Sequence, residues 1–362
     1  MLRGGTVHVL DRAGTRAEAV AVSGGVIVAV GSSAEVSELI EAGTRVIELD
    51  GRAVIPGIND SHLHGAWLGA RWPHTILGAP DPEAAAAVDG RLAATRAERR
   101  EAILRTGSLL SALGITSYTE PGIGPGEDGG ETGCFDGDVL DAYRELAAEG
   151  ALRQRVTLLA LYGILDGPSN RATVLAGIAE RAAAGPEPDP RWLNLPGVKV
   201  FGDLIPLSRQ AWTERGYDDG THGGLLVEGD SIEQQAEDLA AMIRAAHLSG
   251  LQLGVHATGD RTIQLVLDTI AAAEAEPGAP SARELAHSVI HGDLATAEQV
   301  RRMAGLGVWL NAQSGIAAQT TDWLAGLMGP EVAAEAWPFA AALEAEGLLL
   351  SSAPPLAGFD WR

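Results

Sequence analysis

The sequence is poor in cysteine and in positive charge, and it has no long apolar run. Cys134 is the only cysteine among 362 residues, which excludes an intramolecular disulfide framework. Lysine and arginine number 26 against 48 acidic residues, and the resulting charge of −22 repels nucleic acid and anionic membranes. No stretch approaches eighteen uninterrupted apolar residues, and residues 1–5 lack the apolar core of a signal peptide. We therefore expect a cytoplasmic protein without nucleic-acid or membrane partners.

What the sequence does contain is enough apolar surface for a large core. Apolar residues make up 46% of the chain and charged residues 20%, a balance typical of an ordinary globular protein. The length allows one large barrel or two to three smaller domains. Residues 1–54 contain short apolar runs separated by the turns Gly24-Gly25 and Gly31-Ser32, and this pattern predicts a β-rich N-terminal segment.

From Ile55 onward the pattern changes to short apolar strands separated by longer helical stretches, which is typical of parallel β/α units. Eight such strands alternate with helices, as in a TIM-type (β/α)8 barrel. We therefore predict an α/β chain with a partial β-sandwich segment at 1–54 and a barrel at 55–362. The predicted barrel strands lie near residues 55–62, 114–119, 154–162, 197–201, 251–256, 286–291, 306–311 and 347–351.

Histidines fall where several of these strands end, and the active site of a β/α barrel lies at that edge. His62 and His64 are two residues apart at the end of the first strand, so their rings share one face of an extended chain. Such a pair is a weak signal alone, but His256 ends the fifth strand and His291 the sixth. Imidazole nitrogens are common ligands of divalent cations. The four histidines together predict a site for one or two metal ions.

Lys199 lies inside the apolar fourth strand, where an ammonium group is costly unless it is neutralised or paired. Carboxylation by carbon dioxide would convert it into an anionic ligand that bridges two metals. A plain ammonium that contacts the substrate or Asp203 is a second interpretation. A lysine that points outward between barrel and helices is the third.

Four motifs carry a resemblance to a known family. In their order and spacing the chain resembles the amidohydrolase superfamily, most closely its YtcJ-like branch, amidohydrolase family 3. The similarity spans nearly the whole chain, and 114–117 (GITS) and 217–219 (YDD) fit it as well. The motifs are residues 56–64 (PGINDSHLH), 198–203 (VKVFGD), 255–261 (VHATGDR) and 287–291 (HSVIH).

The resemblance implies a metal-containing β/α barrel with a small β-sandwich built from both chain ends. It implies hydrolysis of C–N bonds in amides, N-formyl groups and related small molecules by metal-activated water. Zn²⁺ is the expected metal, as one or two ions, with other divalent metals as alternatives. The implied metal ligands are His62, His64, His256 and His291, with Lys199 as a carboxylated bridge.

The chain departs from the family pattern where the family has an aspartate at the end of strand eight. Ser352 stands at that position, in the run LSSAP at 350–354, and a serine hydroxyl is not a general base near neutral pH. Asp360, Asp260 and Asp203 are the carboxylates that we consider as replacements. The predicted catalytic set is therefore Lys199, His256 and His291 together with Asp260 or Asp360.

Other departures concern the chain end and the substrate pocket. The sequence stops at Arg362, so we expect the last barrel helix and the returning sandwich strands to be missing. The N-terminal strands would then have unpaired edges, which another subunit of a homo-oligomer could cover. The stretch at 65–96 is short where members of the family it resembles carry a long insertion, and this predicts an open substrate pocket. The candidate substrate contacts are Trp67, Tyr217, His222 and Gln313.

Two hypotheses follow from these residues. The first is a zinc-dependent amidohydrolase that acts on a small amide, formamide or cyclic amide. The second is a metal-binding barrel that has lost hydrolysis or serves a binding or biosynthetic role. The four histidines favour metal in both, and Ser352 separates them.

Overall fold

The computed structural model describes residues 1–74, 76–77 and 90–356. By its internal contacts the chain divides into two compact units, Met1–Ile58 and the part that begins at Asn59.

The first unit is a five-stranded sheet with one short helix, α1 (Ser33–Ser37). Strand β2 pairs antiparallel with both β1 and β3, while β4 and β5 run parallel to β1. The sheet edge formed by β3 leaves Val26, Ile27 and Val28 more than half exposed. The strands are β1 (Leu2–His8), β2 (Arg16–Ser23), β3 (Val26–Gly31), β4 (Ile47–Glu48) and β5 (Ala53–Val54).

The second unit is a TIM-type (β/α)8 barrel, as the sequence predicted. Its eight strands are hydrogen-bonded in chain order, from β6 to β13. The backbone N–H of Ala353 donates to the carbonyl of His62 at 2.9 Å and so links the segment after β13 to that after β6. The strands are β6 (Ile58–Asp60), β7 (Ile115–Ile123), β8 (Arg155–Leu161), β9 (Leu193–Phe201), β10 (Gln252–Ala257), β11 (Ser288–His291), β12 (Trp309–Gln313) and β13 (Leu348–Ser351).

Helices connect the barrel strands, and several begin at a side-chain cap. Thr95 forms a capping box with Glu98, and Thr296 forms one with Gln299. No helix in the described ranges is both long and apolar enough to cross a membrane. The helices are α2 (Gly65–Arg71), α3 (Arg96–Ala112), α4 (Gly137–Ala148), α5 (Arg171–Ala183), α6 (Ile232–Leu248), α7 (Asp260–Glu274), α8 (Ala282–Leu285), α9 (Ala297–Leu306), α10 (Ser314–Met328), α11 (Pro330–Glu335) and α12 (Phe339–Glu344).

The main core packs α6 and α7 against strands β9 to β11. Met242 and Ile243 of α6, Val266 of α7, Val255 of β10 and Val289 of β11 are fully buried within one apolar cluster. β-Branched residues suit a parallel strand that is covered on both faces. This packing holds the carboxyl ends of β9, β10 and β11 in fixed positions relative to one another.

Two buried histidines join α6 to the start of β11. His247 Nδ1 lies 2.9 Å from His287 Nε2, and His287 Nδ1 accepts the N–H of Leu253 at 3.0 Å. Because Nδ1 of His287 accepts, its Nε2 carries the proton and donates to His247. Burial lowers the pKa of His247, and it lowers the pKa of His287 to about 3. Both rings are therefore neutral in the folded chain near neutral pH.

This pair predicts a specific loss of stability in acid. In the unfolded chain His287 takes up a proton below about pH 6.5, but the folded chain resists protonation down to about pH 3. The contribution of His287 to the free energy of unfolding is thus fully present above pH 6.5, and it decreases as the pH falls. We expect the free energy of unfolding of the natural chain to fall by about 2 kcal/mol more than that of His287→Gln between about pH 6.5 and 5. Urea unfolding at both pH values measures this difference, and equal losses in the two proteins would contradict it.

Candidate active site

His62 and His64 lie in the turn between β6 and α2. The strand ends at Asp60, so the expectation that both histidines belong to an extended strand is wrong. Their rings are nearly perpendicular, at 88°, and His62 Nε2 lies 3.2 Å from His64 Nε2. The two nitrogens therefore meet in an irregular segment after the strand and not on one strand face.

The structure brings all four predicted histidines together at the carboxyl end of the barrel strands. The ring centroid of His62 lies 5.0 Å from those of both His64 and His291, and the His256 and His291 centroids are 4.5 Å apart. All four side chains are buried. Residues from three parts of the chain therefore form one continuous imidazole cluster.

Buried hydrogen bonds orient two of these rings. His64 Nδ1 contacts the Glu120 carboxylate at 2.8 Å, and the same carboxylate accepts the backbone N–H of Gly65 at 2.6 Å. His291 Nδ1 donates to the amide oxygen of Gln313 at 2.7 Å. A proton on Nδ1 leaves the Nε2 lone pair free, which is the arrangement of metal-binding histidines. Gln313, which the sequence suggests as a substrate contact, supports the ring of His291.

Lys199 lies in β9 beside this cluster and is 3% exposed. Its Nζ lies 4.8 Å from the centre of the Phe201 ring, and Phe201 in turn stacks on His256 at 5.0 Å. No acidic side chain of the described residues lies within 4.0 Å of its ammonium group. Burial lowers the pKa of Lys199 to about 7, so a neutral amine is accessible near neutral pH.

The electrostatics keep His62, His256 and His291 uncharged. Burial, reinforced by neighbouring imidazoles and Lys199, lowers the pKa of His62 and His256 well below the ordinary value. For His291 burial and Lys199 lower the pKa to about 3. A neutral imidazole is the form that binds a metal ion.

The donor set fits a divalent cation in its chemistry. Within the described ranges no three His, Cys, Asp or Glu side chains are already arranged to hold an ion, so the rings must shift to bind one. However, His62 Nδ1 and His256 Nε2 are buried without a hydrogen-bond partner. Buried polar atoms without partners are costly, and a cation is a suitable partner for an imidazole nitrogen. Neutral rings with unpartnered nitrogens are better explained by a metal site than by a role in an apolar core.

Ser352 does not stand free at the strand-eight position. Its hydroxyl donates to the carboxylate of Asp60, and its backbone N–H donates to the same carboxylate at 3.2 Å. Asp60 also accepts the backbone N–H of His62 at 3.2 Å. Burial raises the pKa of Asp60, and the hydrogen bond from Ser352 opposes that rise. The serine therefore fixes the carboxylate that supports the backbone of His62.

The other carboxylates considered as replacements hold backbone groups. Asp203 is fully buried and accepts the N–H groups of Thr258 and Gly259, both at 2.9 Å. Asp260 begins α7 and accepts the N–H of Glu214 at 2.9 Å. Asp360 lies outside the described residues. Within the described ranges, the carboxylates proposed from the sequence are thus committed to the scaffold.

The predicted substrate contacts have different surroundings. The Trp67 ring lies 5.9 Å from that of His64, and its Nε1 is buried without a hydrogen-bond partner. Tyr217 is buried, and its hydroxyl donates to the carbonyl of Ala211 at 3.0 Å. His222 is exposed and contacts the carbonyl of Thr213 through Nδ1 at 3.0 Å. Among these three, only Trp67 adjoins the histidine cluster.

Sequence reasoning missed Asp166, in the loop after β8. Leu161 of β8 is paired with Lys199 of β9, so this loop begins beside the lysine. Asp166 has a left-handed backbone, with φ of 52°. Although the residue as a whole is exposed, packing around its carboxyl raises the pKa, and the charges of Lys199 and His64 oppose the rise. In the described part of the chain its carboxylate has no hydrogen bond or ion pair.

The loop that carries Asp166 is anchored at several points. Leu165 donates its N–H to Glu127 at 2.7 Å, and Ser169 pairs with Val227. An aspartate is among the few non-glycine residues that tolerate a left-handed backbone. An aspartate that is followed closely by a glycine, Gly167, is the sequence signal that could have indicated a turn at the barrel mouth.

His291 also has a left-handed backbone, with φ of 73°. It is the last residue of β11, and Gly292 continues with a φ of 63°. Non-glycine residues in this region are strained, by about 1–2 kcal/mol. The turn directs the ring of His291 into the cluster and toward Gln313.

The amidohydrolase family model matches residues 79–353, which is most of the chain. The chain belongs to the amidohydrolase family. The resemblance inferred from the motifs is thereby confirmed, and the protein is a hydrolase by family. The matched region includes Lys199, His256 and His291, and it ends one residue after Ser352.

Individual relatives of this amidohydrolase agree with the family model. The putative amidohydrolase YtcJ of Bacillus subtilis is 24% identical over 91% of this chain and 75% of its own length. An imidazolonepropionase of Deinococcus radiodurans is 35% identical over 41% of this chain and 36% of its own. The fold is similar to that of an uncharacterized metal-dependent hydrolase from Pyrococcus furiosus, with a TM-score of 0.74 and 20% identity, covering 99% of this chain and 86% of that one.

Proposed function

We propose that this amidohydrolase cleaves a non-peptide C–N bond in a small amide, N-formyl compound or cyclic amide by water activated at a divalent metal. The observation that carries the proposal is the cluster of four buried histidines at the carboxyl end of the barrel. The similarity to an imidazolonepropionase supports the cyclic amide as one substrate class.

The metal ligands in this proposal are His62, His64, His256 and His291, with Zn²⁺ as the first choice because imidazole suits it. A bound divalent cation would polarise the substrate carbonyl and lower the pKa of water. Lys199 in its neutral form can add carbon dioxide, and the resulting carbamate would supply an oxygen ligand. Its burial without an ion pair and its position beside the histidines support this role.

The residues around the cluster have separate tasks. Glu120 and Gln313 orient His64 and His291 through their Nδ1 atoms. Trp67 Nε1, a buried donor without a partner beside His64, is available to bind a polar group of the substrate. Together they position the ligands and the substrate at the barrel mouth.

The proton carrier in this proposal is Asp166. Strand eight supplies only Ser352, whose hydroxyl contacts Asp60, and Asp203 and Asp260 bind backbone N–H groups. Asp166 is the mouth carboxylate that makes no hydrogen bond among the described residues. A carboxylate that is not committed to the scaffold can accept a proton from water and pass it to the leaving nitrogen.

The experiment that tests the function combines metal analysis with hydrolysis assays. The purified chain is expected to contain a divalent metal and to hydrolyse members of a panel of N-formyl amines, N-acyl amines and cyclic amides. Intact mass is expected to show the increment of one carbon dioxide, absent in Lys199→Met. Protein without metal, even after incubation with Zn²⁺, would overturn the proposal. Metal without activity would favour the binding role instead.

Glu120 provides a test of the metal site that does not depend on substrate. Glu120→Gln keeps the shape of the side chain but removes the negative charge that orients His64. Loss of such an oriented partner costs about 10- to 100-fold in metal affinity. We therefore expect Zn²⁺ affinity, measured by chelator competition, to fall in that range. Glu98→Gln, on an exposed helix cap, is the control, and unchanged affinity in Glu120→Gln would exclude the role.

A further inference from the structure

A cavity opens at the opposite end of the barrel from the histidines. We call this space, of about 390 Å³, the lower cavity. Barrel interiors are ordinarily filled by bulky branched side chains. Here Leu159, Ile290 and Leu349 line part of the wall, but seven of the strands or their immediate ends also place an uncharged polar residue on it. These polar residues are Asn59, Ser61, Thr119, Thr157, Asn194, Gln252, Ser288 and Asn311.

Several polar groups on this wall are free. The side chains of Thr119, Thr157, Asn194 and Ser288 have no hydrogen-bond partner among the described residues, and none of them is sealed from solvent. Thr157 and Asn194 are paired across β8 and β9, so their free groups lie side by side. Ser61 and Asn311 bond to each other, with Asn311 Nδ2 donating to the Ser61 carbonyl at 2.8 Å. The cavity thus presents donors and acceptors from several directions.

The charges around the cavity select the kind of molecule that fits it. Among the described residues no lysine, arginine or histidine lines the wall, and the only carboxylate there is that of Glu284, which is exposed. An anion would meet no positive charge, and a cation would find no buried carboxylate. An apolar molecule would cover free hydroxyl groups at a cost of about 1–3 kcal/mol each. An uncharged molecule with several hydroxyl groups satisfies the wall.

We propose that the lower cavity binds an uncharged polyol of small size. Its volume lies within the range of small-molecule sites, about 300–1,000 Å³. The site is distinct from the histidine cluster and does not depend on the proposed hydrolysis. Ser61 and Asn311 belong to the hydrogen-bonded support of Gln313, so the test leaves them unchanged.

The test uses xylitol as the probe and ligand-observed NMR titration of the full chain. The natural protein is expected to bind xylitol with a dissociation constant on the order of 1 mM. Thr157→Leu places a larger side chain in the cavity and is expected to weaken binding at least about tenfold. Thr116→Leu introduces the same change at an exposed position of β7, and it is expected to leave binding within about twofold.

One further variant and two charged probes complete the test. Ser288→Ala removes one free hydroxyl without filling the space, and several-fold weaker binding is expected even if Thr157→Leu fails to fold. Gluconate and glucosamine, an anion and a cation of similar size, are expected to bind more weakly than xylitol. No xylitol binding, equal binding by Thr157→Leu, or a crystal grown with xylitol that shows only ordered water in the cavity would overturn the proposal. Preference for a charged probe would overturn it as well.

Discussion

His256→Ala is expected to abolish hydrolysis almost completely. The substitution removes one of four imidazoles in the cluster and leaves His291 without its nearest ring, 4.5 Å away. Metal activation supplies several kcal/mol of transition-state stabilisation, and a loss of about 4 kcal/mol corresponds to about 1,000-fold in rate. We expect kcat/KM to fall by at least that factor and the metal content to fall with it.

The loss should not come from unfolding. His256 is buried with an unpartnered Nε2, so its removal relieves an unfavourable group in the metal-free chain. The free energy of unfolding without metal is therefore expected to change by less than the usual cost of a core truncation, about 2–5 kcal/mol. His8→Ala, at a half-buried histidine of β1 outside the cluster, is the matched control and should keep activity within about twofold. Full activity of His256→Ala would remove this histidine from the site.

Asp166→Asn is expected to lower kcat by about 100-fold, the lower end of what a positioned acid or base contributes. Asparagine has the same shape and also tolerates the left-handed backbone at φ of 52°, so the loop should keep its conformation. The substitution removes the negative charge and the ability to carry a proton, and it keeps the shape of the side chain.

The pH profile separates this role from a structural one. In the natural chain kcat should fall at low pH, because the carboxyl that accepts the proton becomes protonated. In Asp166→Asn that acid limb should disappear, while KM and the unfolding midpoint stay close to their original values. Asp189→Asn, at a half-buried carboxylate that pairs with Arg191 elsewhere, should keep the full profile. An unchanged acid limb in Asp166→Asn would assign the proton to another group.

The barrel could be predicted from the sequence because apolar residues recur with a different period in its strands and in its helices. Strands β9 and β10 are short, mainly apolar runs that are buried at most positions, which is typical of parallel strands covered by helices. The helix Ile232–Leu248 begins directly after Ser231, whose side chain accepts the N–H of Gln234 and caps its start.

The candidate site was predictable only in part. Histidines at strand ends share one edge of a barrel, so spacing alone indicated the cluster of His62, His64, His256 and His291. The partners Glu120 and Asp166 could not be found in this way, because their roles depend on contacts between strands far apart in sequence. The role of Ser352 likewise depends on its contact with Asp60, across 292 positions of the chain.

The left-handed backbone at His291 has a consequence for engineering. Glycine or asparagine would adopt φ of 73° with less strain than histidine. Selection for heat resistance alone would therefore favour replacing the very residue that completes the imidazole cluster. Stability-guided redesign of this chain has to hold position 291 fixed and seek its gains in the helices and the first-unit sheet.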